Sequence, residues 1–283
     1  MSVPNAANTA EPLYGGSRTR RVTIRDLQLA KERGDRWPML TAYDFPTARA
    51  FDEAGIPVLL VGDSAANVVL GYQDTVGVTA DELLPLARAV ARGAQNALVI
   101  GDLPFGSYQQ GPDQALTTAT RFMKEAGVQA VKLEGGLPVA PSVEKLVEAG
   151  IPVMGHVGFT PQSVNALGGY RVQGRGDDAA RVLGAAKAIE DAGAFAIVLE
   201  MVTADVAREI TAALRIPTVG IGAGIDCDAQ VLVWPDMAGY ASGFTPKFVR
   251  QFGDVRGVLV DTARAFGDAV ADGTFPGPEH SFE

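Results

Sequence analysis

The stretch Ala130-Val131-Lys132-Leu133-Glu134-Gly135-Gly136 reads as a short buried strand running into a loop. Apolar residues flank it and two glycines close it. Yet it carries a lysine and a glutamate. Residues two apart in a strand point to one face, so Lys132 and Glu134 stand side by side on whatever surface that strand faces. Burying both charges is costly unless they have partners or a ligand. A structural ion pair at a strand end would account for one such strand; what argues against it is that neighbouring strands repeat the pattern.

The repeats are plain on either side. Trp37 to Asp44, Val58 to Ser64, Ala97 to Pro104, Pro152 to Gly158, Ala194 to Glu200, Pro217 to Gly224 and Val231 to Trp234 read as further strands. Helical patterns fall between them: Phe45 to Gly55, Thr79 to Gly93, Pro112 to Gly127, Pro141 to Gly150, Asp177 to Gly193 and Thr203 to Leu214. Another, from Thr23 to Gly34 with Thr23 as N-cap, precedes the first strand, and Pro246 to Gly273 is mostly helical. Strands that are apolar throughout, rather than alternating, indicate burial on both faces. Eight βα repeats of about 30 residues predict an α/β chain of (β/α)8 TIM-barrel type, with an extra N-terminal helix and a helical C-terminal extension. An open doubly wound sheet is the competing reading. It calls for a phosphate loop after the first strand, and Tyr43-Asp44-Phe45-Pro46 is not one. Residues 1–20 read as a flexible N-terminus and 21–283 as a single barrel domain.

Composition narrows the class. A net charge of −9 gives the chain no general attraction for nucleic acid or anionic membrane. No uncharged apolar run approaches the roughly 20 residues of a membrane span. The N-terminus lacks the basic and apolar segments of a signal peptide. A single cysteine, Cys227, excludes an internal disulfide and a multi-cysteine metal site, and it reads as an incidental small residue. Together these predict a cytoplasmic protein with no nucleic-acid or membrane partner.

Charge collects at the C-terminal strand ends: Asp63, Asp102, Lys132 with Glu134, His156 and Glu200. In a (β/α)8 barrel those ends form the mouth that holds the active site. Asp63, Asp102 and Glu134 converge with only Lys132 to offset them. Like charges in a partly dry mouth raise one another's pKa or need a cation. An all-oxygen set suits Mg²⁺ or Mn²⁺, which keeps positions open for substrate and can act as a Lewis acid. A carbonyl substrate so held can be enolised by a base, and Glu200 is the natural candidate. Lys132 reads as an ammonium that pairs a substrate carboxylate, with a Schiff base as the alternative. His156 reads as a base, a donor to substrate or a core histidine. Gly220-Ile221-Gly222-Ala223-Gly224 could approach a phosphate or pack tightly. The long passage from Phe159 to Gly176 reads as a lid or an oligomer contact.

At these residues the chain resembles the ketopantoate hydroxymethyltransferase family, from about Thr41 to Phe282. The resemblance lies in Thr41-Ala42-Tyr43-Asp44, Val61-Gly62-Asp63-Ser64, Asp102-Leu103-Pro104-Phe105, Val131-Lys132-Leu133-Glu134-Gly135-Gly136, the run from Gly155 to Asn165, Gly168 to Arg175, and Gly220 to Gly224. It implies transfer of a hydroxymethyl group from 5,10-methylenetetrahydrofolate to 3-methyl-2-oxobutanoate, the first committed step of pantothenate synthesis. It also implies Mg²⁺ held around Asp63, Asp102 and Glu134. Substrate contacts would come from Asp63, Ser64, Asp102, Lys132 and His156, and Glu200 would be the proton acceptor. A homo-oligomer, typically a decamer of two five-membered rings, goes with the family. Two departures are visible: Ala65-Ala66-Asn67 after Ser64, where a Leu-Gly-Met type run is commoner, and Ala229 where glycine is common. The second implies a turn before strand eight that does not need positive φ. The competing functions are a Mg²⁺-dependent oxo-acid lyase of the phosphoenolpyruvate/isocitrate-lyase kind, expected to carry a reactive cysteine in a lid, and a non-catalytic anion-binding barrel.

Overall fold

A computed structural model describes residues 12–15, 20–243 and 245–282. Most of the expectation for residues 1–20 therefore lies outside the described residues, although Leu13 is buried. The chain divides into two compact units, Met1–Leu232 and Val233–Glu283.

The first unit holds β1 (Trp37–Thr41), β2 (Val58–Val61), β3 (Leu98–Asp102), β4 (Ala130–Lys132), β5 (Val153–Gly158), β6 (Ala196–Glu200), β7 (Thr218–Ile221) and β8 (Ala229–Leu232). All eight are parallel and close in sequence order, with β8 pairing back onto β1. This is the (β/α)8 barrel. Between the strands lie α2 (Phe45–Glu53), α3 (Ala65–Val68), α4 (Ala80–Gly93), α5 (Pro112–Arg121), α6 (Ala140–Glu148), α7 (Val164–Leu167), α8 (Asp178–Asp191) and α9 (Ala204–Ala213), while α1 (Ile24–Arg33) precedes β1. β2 and β3 are buried at every residue, as helices outside and side chains inside require.

Local chemistry sets the helix starts. Thr23 and Asp26 form a reciprocal capping box on α1, and Thr79 and Glu82 form another on α4. Asp44 turns its carboxylate onto the Thr47 N–H at 2.7 Å, so this acidic strand end is an N-cap and not part of the mouth. Gly101 lets the wall close: a Cβ there would meet Phe122 Cδ1 at 2.5 Å, and Phe122 is the buried start of the π-helical turn that ends this helix before Gly127. At the N-terminal end of the barrel Asp52 accepts backbone N–H bonds from Asn96 and Ala97 at 2.9 and 2.7 Å, a buried carboxylate fully occupied by structure.

Some boundaries differ from the sequence reading. β8 begins at Ala229 and ends before Trp234, because Trp234-Pro235 opens α10 (Trp234–Met237). Ala229 is thus a strand residue paired with Val219 and Trp37, which explains why glycine is not needed there. β4 ends at Lys132, so Glu134 lies just beyond the strand. Among the described residues of the second unit, helix comprises α10, α11 (Val255–Ala271) and a short turn at Pro278–His280, so the expected helix from Pro246 starts only at Val255; Asp254 caps α11 through the Gly257 N–H at 2.9 Å. Val258, Leu259, Phe266 and Val270 of α11 are exposed. No helix among the described residues is long and apolar enough to cross a membrane.

Candidate active site

The charged residues of the mouth stand at or just after strand ends, with Asp63 and Ser64 after β2, Asp102 ending β3, Lys132 ending β4 with Glu134 beyond it and Glu200 ending β6, except His156, which lies within β5 because that strand runs on to Gly158. The barrel brings them into one linked cluster. Register places Asp102 directly opposite Lys132. Lys132 Nζ donates to both Asp102 oxygens, at 2.8 and 2.9 Å, and lies 3.8 Å from Glu134 Oε1. Asp102 Oδ2 also accepts the Asp63 N–H at 3.2 Å. His156 stands between two carboxylates, with Nδ1 3.5 Å from Glu134 Oε1 and Nε2 3.4 Å from Glu200 Oε2. Ser64 Oγ shares a 2.8 Å hydrogen bond with the Tyr43 hydroxyl. Asp63, Asp102, Lys132, Glu134 and His156 are all at most 5% exposed.

Burial and charge oppose one another here. Burial raises the Asp63 carboxyl well above its usual range, and Asp102 and Glu134 push it further. Burial also raises Asp102; Lys132 offsets part of this, and Glu134 adds to it. Glu134 is pushed up by burial, but His156 and Lys132 outweigh that and hold it below the usual value. Burial and Lys132 push the His156 imidazole down, yet Glu134 and Glu200 prevail and lift it to about 9. Burial lowers Lys132 too, but Asp102, Glu134 and Asp63 raise it above an ordinary lysine. An ammonium so held is a charge partner and a poor Schiff-base nucleophile.

For a hard divalent cation the donor chemistry fits. The mouth buries three carboxylates, Glu134 Oε1 has no hydrogen-bond partner, and Asp63 is poorly stabilised as an anion. Among the described residues no three His, Cys, Asp or Glu groups form a ready ligand cluster. Lys132 occupies both Asp102 oxygens, and Gln162 Nε2 holds Asp63 Oδ2 at 3.1 Å.

Two residues of the cluster were not singled out from sequence. Gln162 lies within the motif that follows β5, but only as one polar residue among several. Tyr108 carries no sequence signal; its hydroxyl donates to Gln162 Oε1 at 2.6 Å and accepts the Glu134 N–H at 3.2 Å. The passage from Phe159 to Gly176 folds partly into a turn, Pro161–Ser163, and α7. Its far end is tied to β6: Gln173 donates its N–H to Met201 O at 2.8 Å, and Met201 holds a left-handed φ of 48°. Tyr170 of the same passage is exposed and packs on Phe159 with ring centroids 4.9 Å apart. Cys227 is buried, and burial pushes its thiol up, as befits an unreactive small residue. In the Gly-rich run, a Cβ at Gly220 would meet Cys227 Sγ at 2.9 Å and one at Gly224 would meet Ala204 Cβ at 2.7 Å, so close packing accounts for two of its glycines.

A closed parallel barrel whose C-terminal mouth buries a coupled set of acids and bases is that of a (β/α)8-barrel enzyme. Solved structures share the fold. Phosphonopyruvate hydrolase complexed with oxalate and Mg²⁺ superposes with a TM-score of 0.58 at 14% identity, covering 91% of this chain and 92% of that one. The 2,3-dimethylmalate lyase, a PEP mutase/isocitrate lyase superfamily member, gives 0.56 at 17% identity, covering 92% and 91%. The chain belongs to the ketopantoate hydroxymethyltransferase family, whose model matches residues 21–278. Relatives named 3-methyl-2-oxobutanoate hydroxymethyltransferase include one from Acidothermus cellulolyticus, 68% identical over 93% of this chain and 97% of its own. Another, from Saccharopolyspora erythraea, is 63% identical over 97% and 94%.

Proposed function

We propose that the chain transfers a hydroxymethyl group from 5,10-methylenetetrahydrofolate to 3-methyl-2-oxobutanoate, with one water consumed overall, giving 2-dehydropantoate and tetrahydrofolate. This is the first committed step of pantothenate synthesis. The observation that carries the reading is the single buried cluster linking Asp63, Asp102, Lys132, Glu134, His156 and Glu200 at the mouth, in a chain of this family.

Asp63 and Asp102, with Glu134 beside them, would hold Mg²⁺. When bound, the ion supplies a Lewis acid that polarises the 2-oxo group and acidifies C3–H. Lys132 offers positive charge to the substrate carboxylate, and Ser64, set by Tyr43, offers a hydroxyl. Glu200 accepts the C3 proton. His156, protonated between Glu134 and Glu200, holds the Glu200 carboxylate by charge. The substrate enolate then forms its C–C bond to the folate-borne carbon, that carbon's bonds to the folate nitrogens break, and water supplies the new hydroxyl. A fixed set of charges around a developing oxyanion needs little reorganisation during this step.

The reading extends to a cytoplasmic homo-oligomer, a decamer of two five-membered rings, supported by the exposed Val258, Leu259 and Phe266 of α11. Light scattering would then report ten copies of the 29.5 kDa chain; a monomer would reject it. The test of function is formation of tetrahydrofolate and 2-dehydropantoate with EDTA and on Mg²⁺ add-back. Turnover abolished by EDTA and restored by Mg²⁺ is expected. Turnover indifferent to EDTA would remove the metal role of the carboxylates, and none under either condition would remove the reaction.

A further inference from the structure

Gln162 is buried in the turn after β5 and uses every hydrogen-bonding capacity of its amide. Nε2 donates to Asp63 Oδ2 at 3.1 Å and to Leu103 O at 3.0 Å. Oε1 accepts from the Tyr108 hydroxyl at 2.6 Å and, more distantly, from Gln109 Nε2 at 3.5 Å. Its backbone N–H donates to Glu134 Oε2 at 3.1 Å. One residue from the turn after β5 thus grips a carboxylate after β2 and another after β4, and spans the end of β3 between them.

The amide can sit only one way round. Rotated by half a turn, its oxygen would face Asp63 Oδ2 and Leu103 O, both acceptors, while its NH₂ would meet the Tyr108 hydroxyl. Asp63 Oδ2 and Leu103 O thus fix the sense of the amide, and Tyr108, which accepts the Glu134 N–H at 3.2 Å, ties its oxygen end to the loop after β4. Asp52 makes the contrast: that buried group, on α2, is satisfied by backbone N–H donors of the segment leading into β3. Gln162 spends one donor on a buried carboxylate that belongs to the mouth.

We infer that Gln162 is a positioning residue: fixed by Tyr108, it aims the Asp63 carboxylate and braces Glu134, and so sets how tightly the mouth takes its divalent cation. This rests on the reading of Asp63, Asp102 and Glu134 as the metal seat. Groups that orient ligands from behind typically change metal affinity about 10–100-fold when removed.

The experiment is calorimetric titration of Mg²⁺ into the full chain saturated with 3-methyl-2-oxobutanoate, with the thermal midpoint of each metal-free protein measured alongside. Gln162→Met keeps the length and removes the donors; its Mg²⁺ Kd is expected to rise about 10–100-fold. Tyr108→Phe leaves the glutamine but frees its orientation, and is expected to raise Kd about 2–10-fold, the worth of one net hydrogen bond. Because the tyrosine acts through the glutamine, the double variant is expected to bind no worse than Gln162→Met alone. The metal-free Tyr108→Phe midpoint should stay within about 4 °C of wild type. A Kd within twofold of wild type in both single variants would overturn the inference. So would a double-variant loss equal to the product of the single losses, or a Kd change matched by collapse of the metal-free Tyr108→Phe protein. Should Gln162→Met fail to fold, an unchanged Kd in Tyr108→Phe overturns it on its own. Asp63→Asn separates this from the parent reading: Mg²⁺ binding absent in wild type, or retained in Asp63→Asn, would sink the metal seat itself.

Discussion

Replacing Lys132 by methionine removes the cation that pairs with Asp102. At an effective dielectric of about 20, a unit charge 2.8 Å away attracts by about 6 kcal/mol and one at 3.8 Å by about 4 kcal/mol, the separations of Lys132 Nζ from Asp102 and Glu134. Desolvation of the ammonium takes back several kcal/mol of this. Lys132 is 3% exposed, so solvent screening gives little relief to the carboxylates it leaves behind. Breaking a buried pair from one side costs about 3–5 kcal/mol, and Lys132→Met should destabilise the metal-free protein by that much at pH 7. That is a large share of the roughly 5–15 kcal/mol of a typical domain. In the variant the Asp102 carboxyl, already raised by burial, rises further once Lys132 no longer offsets it. Stability from such a group is present at low pH and is lost as pH climbs through the folded value. The deficit should therefore be larger at pH 8 than at pH 5. The double variant Lys132→Met with Asp102→Leu should recover most of the loss, because two matched apolar groups replace the pair. Urea unfolding of the metal-free proteins, followed by circular dichroism, measures all of this. A Lys132→Met loss below about 1 kcal/mol, or a double variant as unstable as the two single losses added, would refute the account of the mouth as a charge-balanced cluster.

Glu200→Gln should keep binding 3-methyl-2-oxobutanoate and lose C3–H exchange in deuterated water by about 10²–10⁴-fold, followed by proton NMR; normal exchange would take Glu200 out of the base role. His156, lifted from 6.5 to about 9, stabilises the metal-free fold by about 3 kcal/mol, fully below pH 6.5 and progressively less as pH rises through 9. Denaturant midpoints of wild type and His156→Gln across that window should converge toward high pH, and a constant gap would reject the shift. Gly101→Ala should cost about 1–3 kcal/mol, because its Cβ would press on the buried Phe122 ring; urea midpoints check it, and an unchanged midpoint would mean that the helix yields freely.

Eight apolar strands, five of them consecutive with charged residues toward their ends, were legible in the chain, and so was the barrel they form. Strand periodicity is a local property, and burial on both faces writes it as uninterrupted apolar runs such as Val58-Leu59-Leu60-Val61. Barrel geometry then sends every strand end to one mouth, so Asp63, Asp102, Lys132, Glu134, His156 and Glu200 could be named together with no coordinates. Strand ends whose role depends on the next helix were less legible. Asp44 resembles the other acidic ends but caps α2, and the last strand stops at Leu232 because Trp234-Pro235 starts a helix.

The partners within the mouth were decided only in three dimensions. Asp102 faces Lys132 because β3 and β4 adopt a register that places them opposite each other. His156 bridges Glu134 and Glu200 because β5 runs between the strands that bear them. Gln162 reaches the Asp63 and Glu134 carboxylates, and Tyr108, 54 residues earlier, holds the Gln162 amide. The sequence alone determined which chemistry collects at the strand ends, since the alternation of apolar run and polar end is encoded residue by residue. Tertiary structure decided which acid is paired, which is left without a donor and which amide orients it, because hydrogen bonds of about 3 Å depend on register, barrel closure and loop path, none of which any single segment carries.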